Sequence, residues 1–187
     1  MRAGLRRPVL ELALKAWSCG RDGGFFERPL LTIIDYSLPS ARPRFWVIDL
    51  ARKRLLFNEL VAHGLNSGDV VAVSFSNEPG SHQSSLGLFR TEDAYLGQHG
   101  ESLRLEGLER GVNDRAEERA LVIHGAPYVS REIALERGRV GRSWGCPALA
   151  MEVHEQVIEA IKGGTAVFAY YPDRHWLARS PFLACRR

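Results

Sequence analysis

The stretch Gly141-Arg142-Ser143-Trp144-Gly145-Cys146-Pro147-Ala148 places a thiol between a glycine and a proline, at the start of an amphipathic run. Upstream, the apolar residues 120–123 predict a buried strand that ends at His124-Gly125. A cysteine and a histidine are the minimum parts of a thiol nucleophile with its base. The histidine precedes the cysteine by 22 positions, whereas papain-like enzymes have the opposite order. The two segments together predict a site for thiol chemistry.

Short β-type runs dominate the sequence on both sides of these segments. Residues 45–50 and 55–61 flank the polar segment 51–54 and predict a hairpin. The pattern favours a mainly β sandwich or barrel-like domain with flanking helices. Further strands are predicted at residues 30–36, 70–75, 88–90, 120–123 and 165–171, and helices at residues 8–18, within 128–137 and at 147–162.

Three segments lack a clear hydrophobic period. Residues 76–87 are rich in Ser, Gly and Pro and predict a loop. Residues 91–119 predict short strands and turns, and the tail to residue 187 is expected to be irregular. The Ser-rich loop lacks the Gly-x-Ser-x-Gly elbow of serine hydrolases, so serine catalysis is disfavoured.

Length and composition are those of one folded domain spanning residues 1–187, with its core at about 31–171. The chain is 45% hydrophobic and 25% charged, and its net charge of +3 gives no argument for nucleic acid as a partner. No apolar stretch is long enough for a membrane span. Glu11 and Lys15 interrupt the apolar residues near the start, so no secretion signal is visible. The chain is therefore either cytoplasmic or a mature form without its signal.

Three cysteines are too few for a disulfide scaffold. Cys19 and Cys185, each near one end of the chain, could pair in an oxidising compartment or could remain two unpaired thiols.

The surroundings of Cys146 predict an activated thiol. Pro147 suits the first turn of a helix, which would put the sulfur at the positive end of a helix dipole and lower its pKa. His124 would pair with the thiolate or take its proton. The N–H groups of Gly145 and Cys146 are candidate oxyanion donors, and Ser143 is expected to hold the loop by a local hydrogen bond.

Simpler interpretations exist for each residue alone. A lone cysteine is usually a small buried apolar residue, and a lone histidine at a strand end is usually a surface or satisfied core group. A metal-dependent hydrolase would need pairs such as His-x-His or His-Glu-x-x-His, and neither occurs. No metal or other cofactor is expected. Of the remaining histidines, His82 and His99 lie in polar Gly-containing loops and could line a cleft, whereas His154 and His175 are predicted to be at the surface.

The pattern His124-Gly125, 17 residues, then Ser143-Trp144-Gly145-Cys146 resembles the L,D-transpeptidase (YkuD-like) family of peptidoglycan enzymes, in the branch labelled murein L,D-transpeptidase catalytic domain. The resemblance runs from about residue 31 to 171. It includes the stretches 34–40, 61–64, 75–77, 80–87 and 97–100.

The resemblance implies a curved β sandwich with a helix after the catalytic cysteine. It implies that Cys146 attacks the L-centre carbonyl of diaminopimelate in a stem tetrapeptide, that D-alanine leaves, and that an amine resolves the thioester. His124 would be the base, the Gly125 carbonyl would orient its ring, and Gly145 and Cys146 would supply oxyanion N–H groups. The expected partner is peptidoglycan, the expected location is the periplasm or cell envelope, and the expected state is a monomer.

Two positions depart from the commoner family motif. Trp144 stands where a histidine is usual, and Ala148 stands where an arginine is common. Arg142 could replace that cation and bind a substrate carboxylate, or it could be a solvated arginine. Trp144 could stack on the peptide or belong to the core. Hydrolysis through the same thioester, including release of wall-bound protein, and a catalytically silent wall-binding module remain alternative functions.

Overall fold

The computed structural model describes residues 4–98 and 100–185. Eight strands in this part of the chain form one sheet with the order β3-β2-β1-β8-β4-β5-β6-β7. The strands are β1 (Leu30–Asp35), β2 (Phe45–Asp49), β3 (Arg54–Glu59), β4 (Gly87–Gly97), β5 (Gly100–Gly107), β6 (Val122–Gly125), β7 (Ala148–Leu149) and β8 (Ala166–Tyr170). The helices are α1 (Arg7–Asp22), α2 (Arg131–Arg137), α3 (His154–Ile161), α4 (Arg174–Arg179) and α5 (Pro181–Ala184). The predicted mainly β fold with flanking helices is confirmed.

The two ends of the sheet approach each other. Just beyond β3, the N–H of Ala62 donates to the carbonyl of Ala148 in β7 at 2.9 Å, and the two residues form an isolated antiparallel bridge. The order of strands therefore curls into a nearly closed barrel. As a result the chain after β3 lies against the segment that carries Cys146.

The central strands are apolar and buried along their whole length. Every residue of β1 and β8 is buried, and the two strands pair in parallel, with Ile33 opposite Phe168. Near-continuous burial is typical of parallel strands that are covered on both faces. The cover on one side is α1, whose residues Val9, Ala13 and Ala16 recur at helical spacing and are buried.

The ends of the chain are fastened to this core. Arg6, which precedes α1, donates to the buried carboxylate of Asp35 at 2.8 Å. A disulfide joins Cys19 in α1 to Cys185 beyond α5, which decides between the paired and unpaired states that the sequence left open. Within the described residues, no helix has the length and apolar composition needed to cross a bilayer.

The chain between β5 and β6 forms turns, as predicted, whereas the tail beyond β8 is more ordered than the sequence predicted. Glu109 is fully buried, and its carboxylate accepts hydrogen bonds from the N–H of Leu88 and from the indole of Trp176. The tail forms α4, whose first turn is capped when Asp173 accepts the N–H of Trp176 at 2.8 Å. The prediction of an irregular tail was wrong because the buried Trp176 fastens it to the sheet.

Of two other predicted elements, one is absent from the described structure and one is shorter than predicted. Residues 70–75 are not a strand; Ala72 makes only an isolated bridge to Gly68, since the segment lies against a loop instead of a sheet edge. The helix predicted at 147–162 begins only at His154. Ala148 and Leu149 instead pair with β6, because two fully buried residues beside an open strand edge gain more from the ladder than from a helical turn.

Candidate active site

Cys146 lies beside β6, the strand that carries His124. Parallel pairing of β6 with β7 puts His124 opposite Ala148, two residues after the cysteine, and the N–H of His124 lies 3.4 Å from the carbonyl of Pro147. The cysteine is partly exposed, and its sulfur lies 3.7 Å from the carbonyl of Ala120. Of the two residues that the sequence singled out, His124 therefore lies on β6 and Cys146 lies in the turn that leads into the adjacent strand β7.

The imidazole of His124 is buried and oriented by its neighbour. Its Nδ1 lies 2.9 Å from the carbonyl oxygen of Gly125. A carbonyl only accepts, so Nδ1 carries a proton, and the neutral form of the ring has its basic lone pair on Nε2. This tautomer is the one that a base acting through Nε2 requires, and the predicted contact with the Gly125 carbonyl is present.

The turn before the cysteine is fixed by one hydroxyl. Ser143 Oγ accepts the N–H of Gly145 at 3.1 Å and donates to the carbonyl of Cys146 at 2.6 Å, which confirms the predicted local bond. Gly145 has φ of +129°, and a Cβ there would lie 2.8 Å from the carbonyl oxygen of Gln83, so no larger residue fits. Because the Gly145 N–H is bonded within the turn, the Cys146 N–H is the better candidate of the two for an oxyanion donor.

The electrostatics of Cys146 differ from the prediction. The first helix after it starts at His154, so no helix dipole acts on the sulfur, and burial raises the pKa of the thiol. A hydrogen bond from the N–H of Val122, the charge of Arg119 and the N–H of Cys146 itself lower that pKa, but burial has the larger effect. The resting thiol is thus protonated at neutral pH, and a base must take its proton before it can attack.

A buried Arg–His pair is linked to the cysteine turn by a hydrogen bond. Arg44 is fully buried and donates to the carbonyls of Val61 and Leu38, and to Nδ1 of His63 at 2.7 Å. Since Arg44 can only donate, His63 accepts at Nδ1 and is neutral, with Nε2 3.3 Å from the carbonyl of Gly68. The carbonyl of His63 accepts the N–H of Ser143 at 3.0 Å, which links this pair to the cysteine turn.

Three predicted site residues lie near this turn, with different environments. Arg142 is partly exposed and paired within the protein: its guanidinium lies 3.1 Å from the carbonyl of Gly68 and 3.4 Å from the carboxylate of Asp69. Trp144 is 76% exposed, so the core alternative is wrong, and its indole stacks on the ring of His82 with centroids 5.1 Å apart. His99 lies outside the described residues. In the described part of the chain, no group of three or more His, Cys, Asp or Glu side chains could hold a metal ion.

Residues 2–170 match the family model described as the L,D-transpeptidase catalytic domain. The chain belongs to the L,D-transpeptidase catalytic domain family. The resemblance inferred from the His-Gly and Ser-Trp-Gly-Cys motifs is thereby confirmed. A comparison with curated proteins finds no match.

Solved structures that match this chain have low sequence identity to it. The helical cell shape determining protein Pgp2 from Campylobacter jejuni is 11% identical over 80% of this chain and 50% of that protein, with a TM-score of 0.51. A mutant form of Pgp2 is 12% identical over 91% and 58%, with a TM-score of 0.53. An L,D-transpeptidase from Mycobacterium smegmatis is 13% identical over 76% and 59%, with a TM-score of 0.46. The chain thus spans between half and three-fifths of the length of these proteins.

Two residues of this L,D-transpeptidase domain complete the site and were not identified from the sequence. Arg119 is half-buried and donates to the carbonyls of Ser76 and Gln83 at 2.6 and 2.5 Å, and to the hydroxyl of Ser85. Its charge favours the Cys146 thiolate. The histidine predicted at the surface, His154, is instead buried, and a Cβ on Gly125 would lie 2.6 Å from its ring. The glycine of the His-Gly motif is therefore needed for close packing as well as for its carbonyl.

We expect the stability of the domain to fall in acid because of His63. Burial and the adjacent Arg44 lower the pKa of His63 to about 4, below its ordinary value. Between about pH 6.5 and 4 the unfolded chain binds a proton at this position and the folded chain does not, so stability decreases as the pH falls, by on the order of 3 kcal/mol from this group. Urea unfolding across this range measures the slope. His63→Gln should flatten it, and parallel curves for the two proteins would contradict the assignment.

We expect the charge of Arg119 to lower the pKa of the Cys146 thiol. Arg119→Gln removes the cation near Cys146, so the pKa of the thiol should rise and the pH profile of its alkylation by iodoacetamide should move to higher pH. Arg119→Lys, which keeps the charge, should lie closer to the wild type. The matched control is Arg115→Gln in the same segment, whose guanidinium pairs with Glu78 at the surface. An unchanged profile in Arg119→Gln would remove the charge effect, and an equal shift in the control would make it nonspecific.

Proposed function

We propose that the chain is a cysteine acyltransferase that acts on peptidoglycan stem peptides through a thioester at Cys146. The observation that carries the proposal is the pairing of β6 with β7, which sets Cys146 beside a histidine whose Nδ1 is held by the Gly125 carbonyl. Membership of the L,D-transpeptidase family supports the substrate class.

The proposed reaction has two steps. His124 Nε2 takes the proton from the Cys146 thiol as the sulfur attacks the carbonyl carbon of the donor peptide. The N–H of Cys146 donates to the oxygen that becomes negative, and the leaving amine takes the proton from His124. An acceptor amine then attacks the thioester and gives a proton to the histidine, and the departing thiolate takes that proton back as the new amide bond forms.

The cell envelope is the proposed location, because stem peptides lie there. The disulfide between Cys19 and Cys185 supports this proposal, since disulfides persist in oxidising compartments. That the chain acts as a monomer remains a prediction.

Loss of the thiol or the imidazole should abolish or strongly reduce turnover. Cys146→Ala and Cys146→Ser are nearly isosteric, so we expect folded proteins without activity on purified tetrapeptide muropeptides. His124→Ala should reduce the rate by about 10²–10⁴-fold, as expected for loss of a general base. Mass spectrometry of the muropeptides measures turnover, and thermal melting checks the fold. Activity retained by Cys146→Ala would exclude the thioester.

Hydrolysis through the same thioester is the competing function. Transfer wins only if an acceptor is bound beside the thioester and water is kept away. The exposed Trp144 stacked on His82 forms an aromatic surface next to the nucleophile. The hairpin of β4 and β5 lies beside the histidine, because Ser102 in β5 pairs with His124. A silent wall-binding module would need neither a base nor an oriented thiol.

We expect Trp144 to favour transfer over hydrolysis. Trp144→Ala removes the aromatic surface and should raise the ratio of tripeptide to exchanged or cross-linked product when a free D-amino acid is supplied as the amine. The control is Leu135→Ala, since Leu135 is a comparably exposed apolar residue on α2. An unchanged ratio would exclude Trp144 from this role. Tripeptide alone in the wild type, whatever amine is added, would show that hydrolysis is the reaction.

A further inference from the structure

A fully buried serine lies directly behind the cysteine turn. Ser84 is 0% exposed, and its hydroxyl donates to the carbonyl of Gly145 at 3.0 Å. The same oxygen accepts the N–H of Gly64 at 3.0 Å, and the N–H of Ser84 donates to Ser67 Oγ at 2.8 Å. Hydrogen bonds thus fix both the N–H and the hydroxyl of Ser84, and the hydroxyl binds the carbonyl of Gly145, next to the nucleophile.

That carbonyl belongs to the peptide whose N–H is the proposed oxyanion donor. The peptide between Gly145 and Cys146 is trans, like every described peptide of the chain, so its C=O and N–H point in opposite directions. With the oxygen held by Ser84 in the interior, the N–H of Cys146 must face away from Ser84. It lies close to the sulfur of its own residue, where it lowers the pKa of the thiol.

The Gly145–Cys146 peptide plane needs the hydrogen bond from Ser84 because the residue on its N-terminal side is a glycine. Gly145 has φ of +129°, and glycine has little steric barrier to other backbone conformations. Ser143 Oγ accepts the N–H of Gly145, which belongs to the preceding peptide, and donates to the carbonyl of Cys146, which belongs to the following peptide. Neither of those bonds fixes the plane between them, whereas the bond from Ser84 acts on that plane directly.

We infer that Ser84 is a positioning residue, whose hydroxyl fixes the Gly145–Cys146 peptide plane and thereby directs the Cys146 N–H at the oxyanion formed during acylation. A preorganised donor stabilises that charge because it need not reorient during the reaction. The inference rests on the proposed acyl transfer, and it assigns the residue that prepares the donor. Ser84 touches neither substrate nor sulfur in this role.

Two reactions of the same thiol separate this role from a merely structural one. Iodoacetamide alkylates the sulfur by displacing iodide and forms no oxyanion. With p-nitrophenyl acetate, the sulfur bonds to the carbonyl carbon, an oxyanion forms and collapses, p-nitrophenolate leaves, and the thiol proton passes to His124. Both rates are measured on the intact chain, with Cys146→Ala to subtract reaction elsewhere.

Ser84→Ala should lower the acylation rate by about tenfold or more, short of the roughly 10²–10³-fold cost of deleting an oxyanion donor. Its alkylation rate, measured at a pH high enough for the thiolate to form in both proteins, should stay within about twofold of the wild type, because alkylation forms no oxyanion and does not depend on where the Cys146 N–H points. Ser76→Ala is the matched control in the same loop, since its hydroxyl binds the N–H of Glu78 and not the cysteine turn. Ser84→Thr, which keeps the hydroxyl, should recover acylation.

The outcomes separate failure of the Ser84 positioning role from failure of the proposed acyl transfer. Normal acylation in Ser84→Ala, or an equal fall of acylation and alkylation, overturns the positioning role while leaving the acyl transfer intact. If the wild-type thiol is alkylated but never acylated, the proposed function fails and the role of Ser84 fails with it. Should Ser84→Ala melt below the assay temperature, the isosteric pair Ser84→Thr and Ser84→Val supplies the same comparison, and equal acylation in the two overturns the inference.

Discussion

The parallel pairing of β6 with β7 is the constraint on which the rest of this structure depends. β7 is only two residues long, Ala148–Leu149, yet it fixes the distance along the barrel between the cysteine and the histidine. Its partner on the other side, Ala62, closes the sheet through the same residue, Ala148. One short strand therefore determines both the closure of the fold and the geometry of the site, and a helix starting at Pro147 would have lost both.

The site rests on a layer of buried polar groups instead of on apolar packing alone. Arg44, His63 and Ser84 are fully buried, and each binds a backbone group in the loops around the cysteine. An unpaired buried polar group costs free energy, so such a layer is tolerated only if its members are satisfied together. The consequence is a firmly held cysteine turn, which suits the proposed acyl transfer, in which a protonated thiol would have to meet its base and its oxyanion donor in fixed positions.

How much of the site could be predicted depends on how far apart in the sequence the interacting residues lie. Cys146, His124 and the Gly125 carbonyl were predicted because their chemistry and motif are local in sequence. Arg119 and Ser84 were not, since one lies in a segment without a hydrophobic period and the other in a Ser-rich loop of similar residues. Arg119 acts through its charge on Cys146, which lies 27 positions away, and Ser84 donates a hydrogen bond to Gly145, which lies 61 positions away.

By itself the sequence determined the family and the mainly β character of the domain, and it predicted Cys146 as nucleophile and His124 as base, because alternating and continuous apolar runs and the His-Gly and Gly-Cys motifs act over a few residues. Only the tertiary structure decided that Ala148 and Leu149 are a strand, that the sulfur lacks a helix dipole, and that Cys19 is joined to Cys185. The physical reason is that pairing, burial and disulfide geometry depend on which distant segments meet. Local propensity at Pro147 favoured a helix, and the open edge of β6 prevailed over it.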